Sequence, residues 1–365
     1  MKFRIAVLAA WIMVWGITSA GAQLKPGFDA KEYLEMLDLV RRQSDLSKTI
    51  EGAGAVRFNH VYQSEELGLF NRWDLWVRED QKLAVINIRG TVAETASWLE
   101  NYNAAQLRAI GSLQLDKNTR FDYKLAADSS AHVHAGWTLG LAYLAPSIVA
   151  QIKDCYQKGI RDYIIMGHSQ GGAIAFLLTS YLHYNPAIPK DIVVKSYCSA
   201  APKPGNQEYA YDFDYITRGG WALRVVNARD WVPESPFSTQ TTNDFNVVNP
   251  YRGMKKSLKG KSLVLRKGAV YLYNRMDRPT KRSAKRFTNI LGNFTYKQIR
   301  KKLPGLQKPQ YIRSHSYMTA GVPVVLMPDA EYYRRFPFDG KNVFVHHLLE
   351  PYAYLVNRIY VVSSK

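Results

Sequence analysis

Gly167-His168-Ser169-Gln170-Gly171-Gly172 is the stretch of this sequence best suited to chemistry. It follows the apolar run Asp162 to Met166 and opens the apolar stretch Gly171 to Tyr184, so it reads as a strand turning directly into a helix. Such a turn holds its central residue in a strained conformation. Small residues two before and two after let strand and helix approach, and Ser169 projects its hydroxyl above the sheet. The helix N-terminus then offers its dipole and free N–H groups to an attacked carbonyl, which is the chemistry of acyl transfer. A serine hydroxyl is a weak nucleophile until a histidine takes its proton and a carboxylate orients that histidine. In a sheet of this kind the partners follow in the order serine, acid, histidine, which confines the search to residues after 169.

Among the acids, Asp230 follows the strand-like run Ala222 to Val226 and precedes Trp231-Val232-Pro233, a position at the C-terminal edge of a sheet. Asp212, Asp214 and Asp244 lie in polar stretches without such a strand. The histidines beyond Asp230 are His315, His346 and His347, and only one of the adjacent pair can face Ser169. His132, His134 and His168 are read as structural, with His168 turned away from the nucleophile. No His, Cys, Asp or Glu cluster has metal-ligand spacing, and the chemistry needs no cofactor.

The elements that must carry these residues alternate. Leu83 to Ile88, Asp162 to Met166, Ile192 to Tyr197, Ala222 to Val226 and Val322 to Met327 are short apolar runs suited to a largely parallel sheet, while Gly136 to Lys158 and Gly171 to Tyr184 have helical length and period. The expectation is an α/β sheet with helices on both faces and no internal repeat. With 365 residues, 47% hydrophobic and 13% aromatic, the chain can bury a large core, which excludes a disordered class. A basic start, an apolar run from Ile5 to Ile17 and Ala20-Gly21-Ala22 give residues 1–22 the pattern of a removable export signal. Residues 23–365 are then expected to form one domain in the periplasm or outside the cell. Cys155 and Cys198 flank apolar segments; they could pair in an oxidising compartment or serve as small buried hydrophobes, the second being preferred. The formal charge of +19 is concentrated: residues 252–302 hold 17 Lys and Arg against the single acid Asp277.

Several motifs together resemble the class 3 lipases, the fungal-type triacylglycerol lipase family of α/β-hydrolases. Ile88-Arg89-Gly90-Thr91 with Trp98-Leu99 is similar to that family's oxyanion segment and the start of its lid, and Val133-His134-Ala135-Gly136-Trp137 to its motif before the nucleophile strand. Gly167 to Ala173 resembles the elbow, Ser199 to Asn206 the segment after the next strand, and Val226 to Pro233 the segment carrying the acid. Ala320 to Leu326 and His347 to Tyr352 resemble the last strand and the histidine turn. The likeness spans about residues 80–357 in the family's order. It implies an α/β-hydrolase fold, Ser169, Asp230 and His347 as catalytic residues, and Thr91 and Gln170 as oxyanion donors. Gln170 stands where the family usually has leucine, but its backbone N–H is unaffected. Residues 252–302 have no counterpart in the pattern.

The reading that follows is an exported serine hydrolase acting on carboxylic esters of acyl lipids. Its basic segment would make peripheral contact with an anionic membrane, and no nucleic acid partner is expected. The competing reading is a polyanion- or membrane-binding protein that uses the basic segment on a catalytically minor hydrolase scaffold.

Overall fold

The computed structural model describes residues 24–45, 47–55, 57–251, 254 and 258–362. The expected leader over residues 1–22 lies outside the described residues, as do 252, 253 and 255–257 of the basic segment.

Seven strands lie side by side in chain order: β1 (Phe58–Gln63), β2 (Trp73–Arg78), β3 (Leu83–Ile88), β4 (Asp162–His168), β5 (Val193–Ser199), β6 (Ala222–Asn227) and β7 (Val322–Leu326). β3 to β7 are parallel; β2 runs antiparallel to both β1 and β3. Among the described residues the α-helices include α1 (Ala30–Ser44), α2 (Thr95–Tyr102), α3 (Ala135–Gln157), α4 (Gln170–Tyr184), α5 (Gln207–Ile216), α6 (Leu263–Thr288), α7 (Thr295–Lys302), α8 (Ala330–Arg335) and α9 (Leu349–Val356). The architecture is α/β, a mostly parallel sheet with helices on both faces.

Strand alternation explains why both faces are covered. Along β4, Tyr163 and Ile165 enter one core with α3 and α4, while Ile164 and Met166 enter the other with α1 and α9. A run apolar at every position from Tyr163 to Met166 therefore feeds two layers. All five strands expected from sequence form, as do α3 and α4. β1 and β2 were not anticipated. Their polar residues hide the pattern: Asp74 is fully buried in β2, where it accepts from Gln63 Nε2 at 2.7 Å and lies 2.8 Å from His60 Nε2.

Register sets the site. Ile88 of β3 pairs with Gly167 of β4, and Gly167 with Cys198 of β5, so three strands end level and their following loops converge. Cys155 and Cys198 are free, buried members of one core cluster. Among the described residues α3 is long and apolar enough to cross a membrane, but two thirds of its apolar window is packed inside the protein.

Candidate active site

Ser169 sits between β4 and α4 with φ +61° and ψ −127°, a conformation few side chains adopt. The turn is held by Ser169 N–H donating to Ser199 O at 2.9 Å, and by α4 beginning at once with Ala173 N–H on Ser169 O at 3.0 Å. There is no room for anything but glycine at 171, where a Cβ would stand 2.2 Å from Ile88 O. A Cβ on Gly90 would lie 2.9 Å from His168 O, which shows how closely the loop after β3 passes the elbow. Thr91 follows in that loop. Gln170 is the first residue of α4, so its backbone N–H belongs to the unpaired donors of the helix start.

Asp230 lies just beyond β6. The local chain is tied down by Ala228 N–H to Leu326 O at 3.0 Å and Asp230 N–H to Asn227 O at 3.0 Å. Its buried carboxylate is fully engaged: Oδ2 lies 2.6 Å from His347 Nδ1 and accepts from Tyr352 Oη at 2.7 Å, and Oδ1 accepts from Val232 N–H at 2.9 Å. An imidazole whose Nδ1 faces a carboxylate carries its proton there, leaving Nε2 free to act as base. The other candidate acids are occupied elsewhere. Asp212 accepts from Tyr184 Oη and Ala127 N–H, Asp214 from Gly321 N–H, and Asp244 from Ser314 Oγ and Thr241 N–H.

The histidines separate in the same way. His346 Nδ1 lies 2.8 Å from Tyr332 Oη, while its carbonyl accepts from Asn227 Nδ2 at 2.9 Å. His315 is buried with Nε2 3.3 Å from Ser283 Oγ. His168 points away from the nucleophile: its Nε2 donates to His347 O at 2.7 Å, so its Nδ1 accepts from Ser199 Oγ at 3.0 Å, and Tyr33 Oη completes the chain at 2.6 Å from Ser199 Oγ. Burial, then the neighbouring His347, pushes the His168 imidazole down to about 3, so it stays neutral at working pH. Asn227 and His168 thus pin two consecutive carbonyls of the His346-His347 turn from below.

Ser169, Gln170, Thr91 and His347 share the wall of one cavity of about 830 Å³, whose other lining is largely apolar and includes Val92, Trp98, Tyr102, Phe237, Leu291 and Leu348. This pairs a few convergent polar groups with a pocket suited to hydrocarbon. Sequence reasoning missed several supporting residues. Asn101 donates from Nδ2 to Thr91 Oγ1 at 2.9 Å and accepts from Trp137 Nε1 at 2.9 Å. Tyr352 served only as a spacing marker, and Tyr33 on α1 carried no signal at all, because a long-range hydroxyl contact leaves no local pattern.

A family model described as Lipase (class 3) matches residues 85–240. Residues 85–240 are thus similar to the class 3 lipases, and the chain is a carboxylic ester hydrolase. The match includes Thr91, Ser169, Gln170 and Asp230 and ends before both His347 and the basic segment. No curated protein matches. Solved structures similar to this one include a triacylglycerol lipase from Penicillium expansum, 17% identical over 57% of this chain and 75% of that one, with a TM-score of 0.44. The Lip2 lipase of Yarrowia lipolytica is 18% identical over 57% and 74% of the two chains, with a TM-score of 0.42. The triacylglyceride lipase of Rhizomucor miehei is 16% identical over 57% and 73%, with a TM-score of 0.41.

Proposed function

We propose that this lipase cleaves carboxylic esters of acyl lipids, triacylglycerol or phospholipid, with Ser169 as nucleophile, His347 as base and Asp230 as its orienting acid. The observation that carries the reading is the 2.6 Å contact of His347 Nδ1 with Asp230, with Ser169 at positive φ on the same cavity wall as His347. His347 Nε2 takes the hydroxyl proton as Ser169 Oγ attacks the ester carbonyl, and the N–H groups of Thr91 and Gln170 receive the oxyanion. The proton passes to the departing alcohol, leaving an acyl-serine. Water, deprotonated by His347, then attacks that acyl group, and the fatty acid leaves with Ser169 restored. The apolar cavity lining accounts for an acyl chain as the bound group.

Residues 1–22 act as a removable leader, so the lipase works in the periplasm or outside the cell, and residues 23–365 form one catalytic domain. Segment 252–302 is an insertion in it and makes peripheral contact with an anionic membrane. α6 supports this reading: Leu265, Leu272 and Met276, spaced seven and four apart, are 55%, 61% and 70% exposed, and exposed Arg275, Arg282 and Arg286 share the helix. The other end of the segment is anchored beside the cavity, since Phe287 packs on Phe237 with ring centroids 5.2 Å apart and Leu291 lines the wall. Docking through α6 brings the cavity mouth to the lipid.

The test compares wild type and Ser169→Ala on a dissolved short-chain ester and on vesicles with and without anionic phospholipid. Hydrolysis that requires Ser169, with salt-sensitive binding to anionic vesicles, is the expected result. Equal turnover by both proteins overturns the enzyme assignment, and binding to nucleic acid rather than vesicles overturns the membrane role.

A further inference from the structure

α2 carries a carboxyl that catalysis as described does not use. Glu100 is 0% exposed, and both its oxygens are taken by neutral amides: Oε1 accepts from Gln170 Nε2 at 2.9 Å and Oε2 from Asn71 Nδ2 at 2.6 Å. Ser97, one turn earlier, donates to Gln170 Oε1 at 3.3 Å. Asn71 is itself fixed, since its N–H and carbonyl both pair with Leu67 at 2.8 Å just ahead of β2. Burial pushes the Glu100 carboxyl up to about 8, against the lowering effect of its two amide partners. A buried carboxyl held by amides is costly to the fold, so its position between three elements calls for a reason.

That reason lies in what consecutive residues of α2 hold. Glu100 binds the side chain of Gln170, and Asn101 binds the hydroxyl of Thr91. These are the two residues assigned to the oxyanion hole, one on α4 and one in the loop after β3. We infer that Glu100 is a positioning residue that staples α2 to Gln170 and so fixes the separation of the two oxyanion donors. This rests on the oxyanion reading given above and deepens it: Gln170 contributes through its side chain as well as its N–H. It also gives a physical account of the departure at 170, where class 3 lipases usually carry leucine. A leucine there would leave Glu100 Oε1 without its donor while Asn71 still served Oε2, so Glu100 and Gln170 form a matched pair.

Steady-state hydrolysis of dissolved p-nitrophenyl butyrate by the full-length protein tests this. Glu100→Ala is expected to lower kcat by about tenfold or more with KM nearly constant, because displaced donors are felt in the transition state rather than in substrate binding. Glu100→Gln is expected to restore most of that kcat: its Oε1 still accepts from Gln170, and a reversed Asn71 amide accepts from the new Nε2. Gln170→Leu alone is expected to be strongly impaired, and the double variant Glu100→Ala/Gln170→Leu less impaired than Gln170→Leu, the signature of a coupled pair. If Glu100→Ala does not accumulate folded, the contrast between Glu100→Gln and Gln170→Leu and the recovery in the double variant still decide. Unchanged kcat in Glu100→Ala, equal damage in Glu100→Gln and Glu100→Ala, or simple additivity in the double variant would each overturn the inference. Ser169→Ala separates the levels. Its inactivity beside an unimpaired Glu100→Ala removes only this inference, whereas wild-type turnover in Ser169→Ala removes the reading it rests on.

Discussion

The two ends of this molecule solve opposite problems. At the elbow, polar groups are buried and paired: Asp230 has three partners, His168 bonds at both ring nitrogens, and Glu100 at both oxygens. On α6, apolar and cationic side chains stand in solvent, with Val264 83% exposed at its first turn. The first arrangement fixes geometry at the expense of desolvation, as preorganised catalysis requires. The second leaves a surface that water serves poorly and a lipid headgroup layer serves well. On the proposed function, chemistry and docking are built separately, and the two regions meet where Phe287 touches Phe237 at the cavity rim.

Substitutions at the buried end should be the most damaging and should act on kcat. Ser169→Ala and His347→Ala are expected to lose about 10⁶-fold in turnover, measured on a dissolved ester. Asp230→Asn, which leaves His347 with the wrong tautomer, should cost about 10⁴-fold in the same assay. On the exposed end, Arg275, Arg282, Lys285 and Arg286 replaced together by Gln should weaken binding to anionic vesicles by about 10³-fold, at roughly 1 kcal/mol per charge, while kcat on a dissolved ester holds. A loss of kcat there would merge the two regions. Tyr352→Phe removes one hydroxyl from Asp230 and should cost about tenfold in kcat, in line with a single hydrogen bond to a charged group.

The smallest effect is on stability and has a defined sign. Burial pushes His134 and His168 down to about 3 in the fold, whereas an unfolded histidine titrates near 6.5. Between those values the unfolded chain binds protons that the folded chain does not, so stability falls as pH is lowered below about 6.5. Glu100, pushed up to about 8, acts in the opposite sense from there down to an unfolded value of about 4.3, but as one group against two. Thermal denaturation should show a lower Tm at pH 5 than at pH 7; a flat or rising profile would mean these histidines are solvated.

What the sequence disclosed follows from the range of the forces involved. β3 to β6 and α4 were legible because apolar runs of the right length are buried, and β7 because its run is apolar although Val322 and Val325 stay half-exposed. The elbow was legible because its Gly-x-Ser-x-Gly string is contiguous, even though Gly171 is also demanded by Ile88 O of the neighbouring strand. Asp230 was legible from its place after β6. β1 and β2 were not, since Asp74 and His60 satisfy each other only across the sheet. Glu100 was equally hidden: its partners lie 29 residues before it and 70 after, and a charged residue on a short helix reads as solvent-facing until the fold closes over it. Choosing His347 over His346 needed the family pattern, and the geometry gives the reason: Asn227 and Tyr332 hold His346 while Asp230 takes its neighbour.

In the proposed mechanism Ser169 is the nucleophile, made reactive by His347 and Asp230. Treating the protein with a fluorophosphonate ester and mapping the adduct by peptide mass spectrometry tests it most directly. One covalent adduct on Ser169 is expected, formed with loss of all esterase activity and much diminished in His347→Ala. An adduct on another residue, or full activity after complete labelling of Ser169, would contradict it.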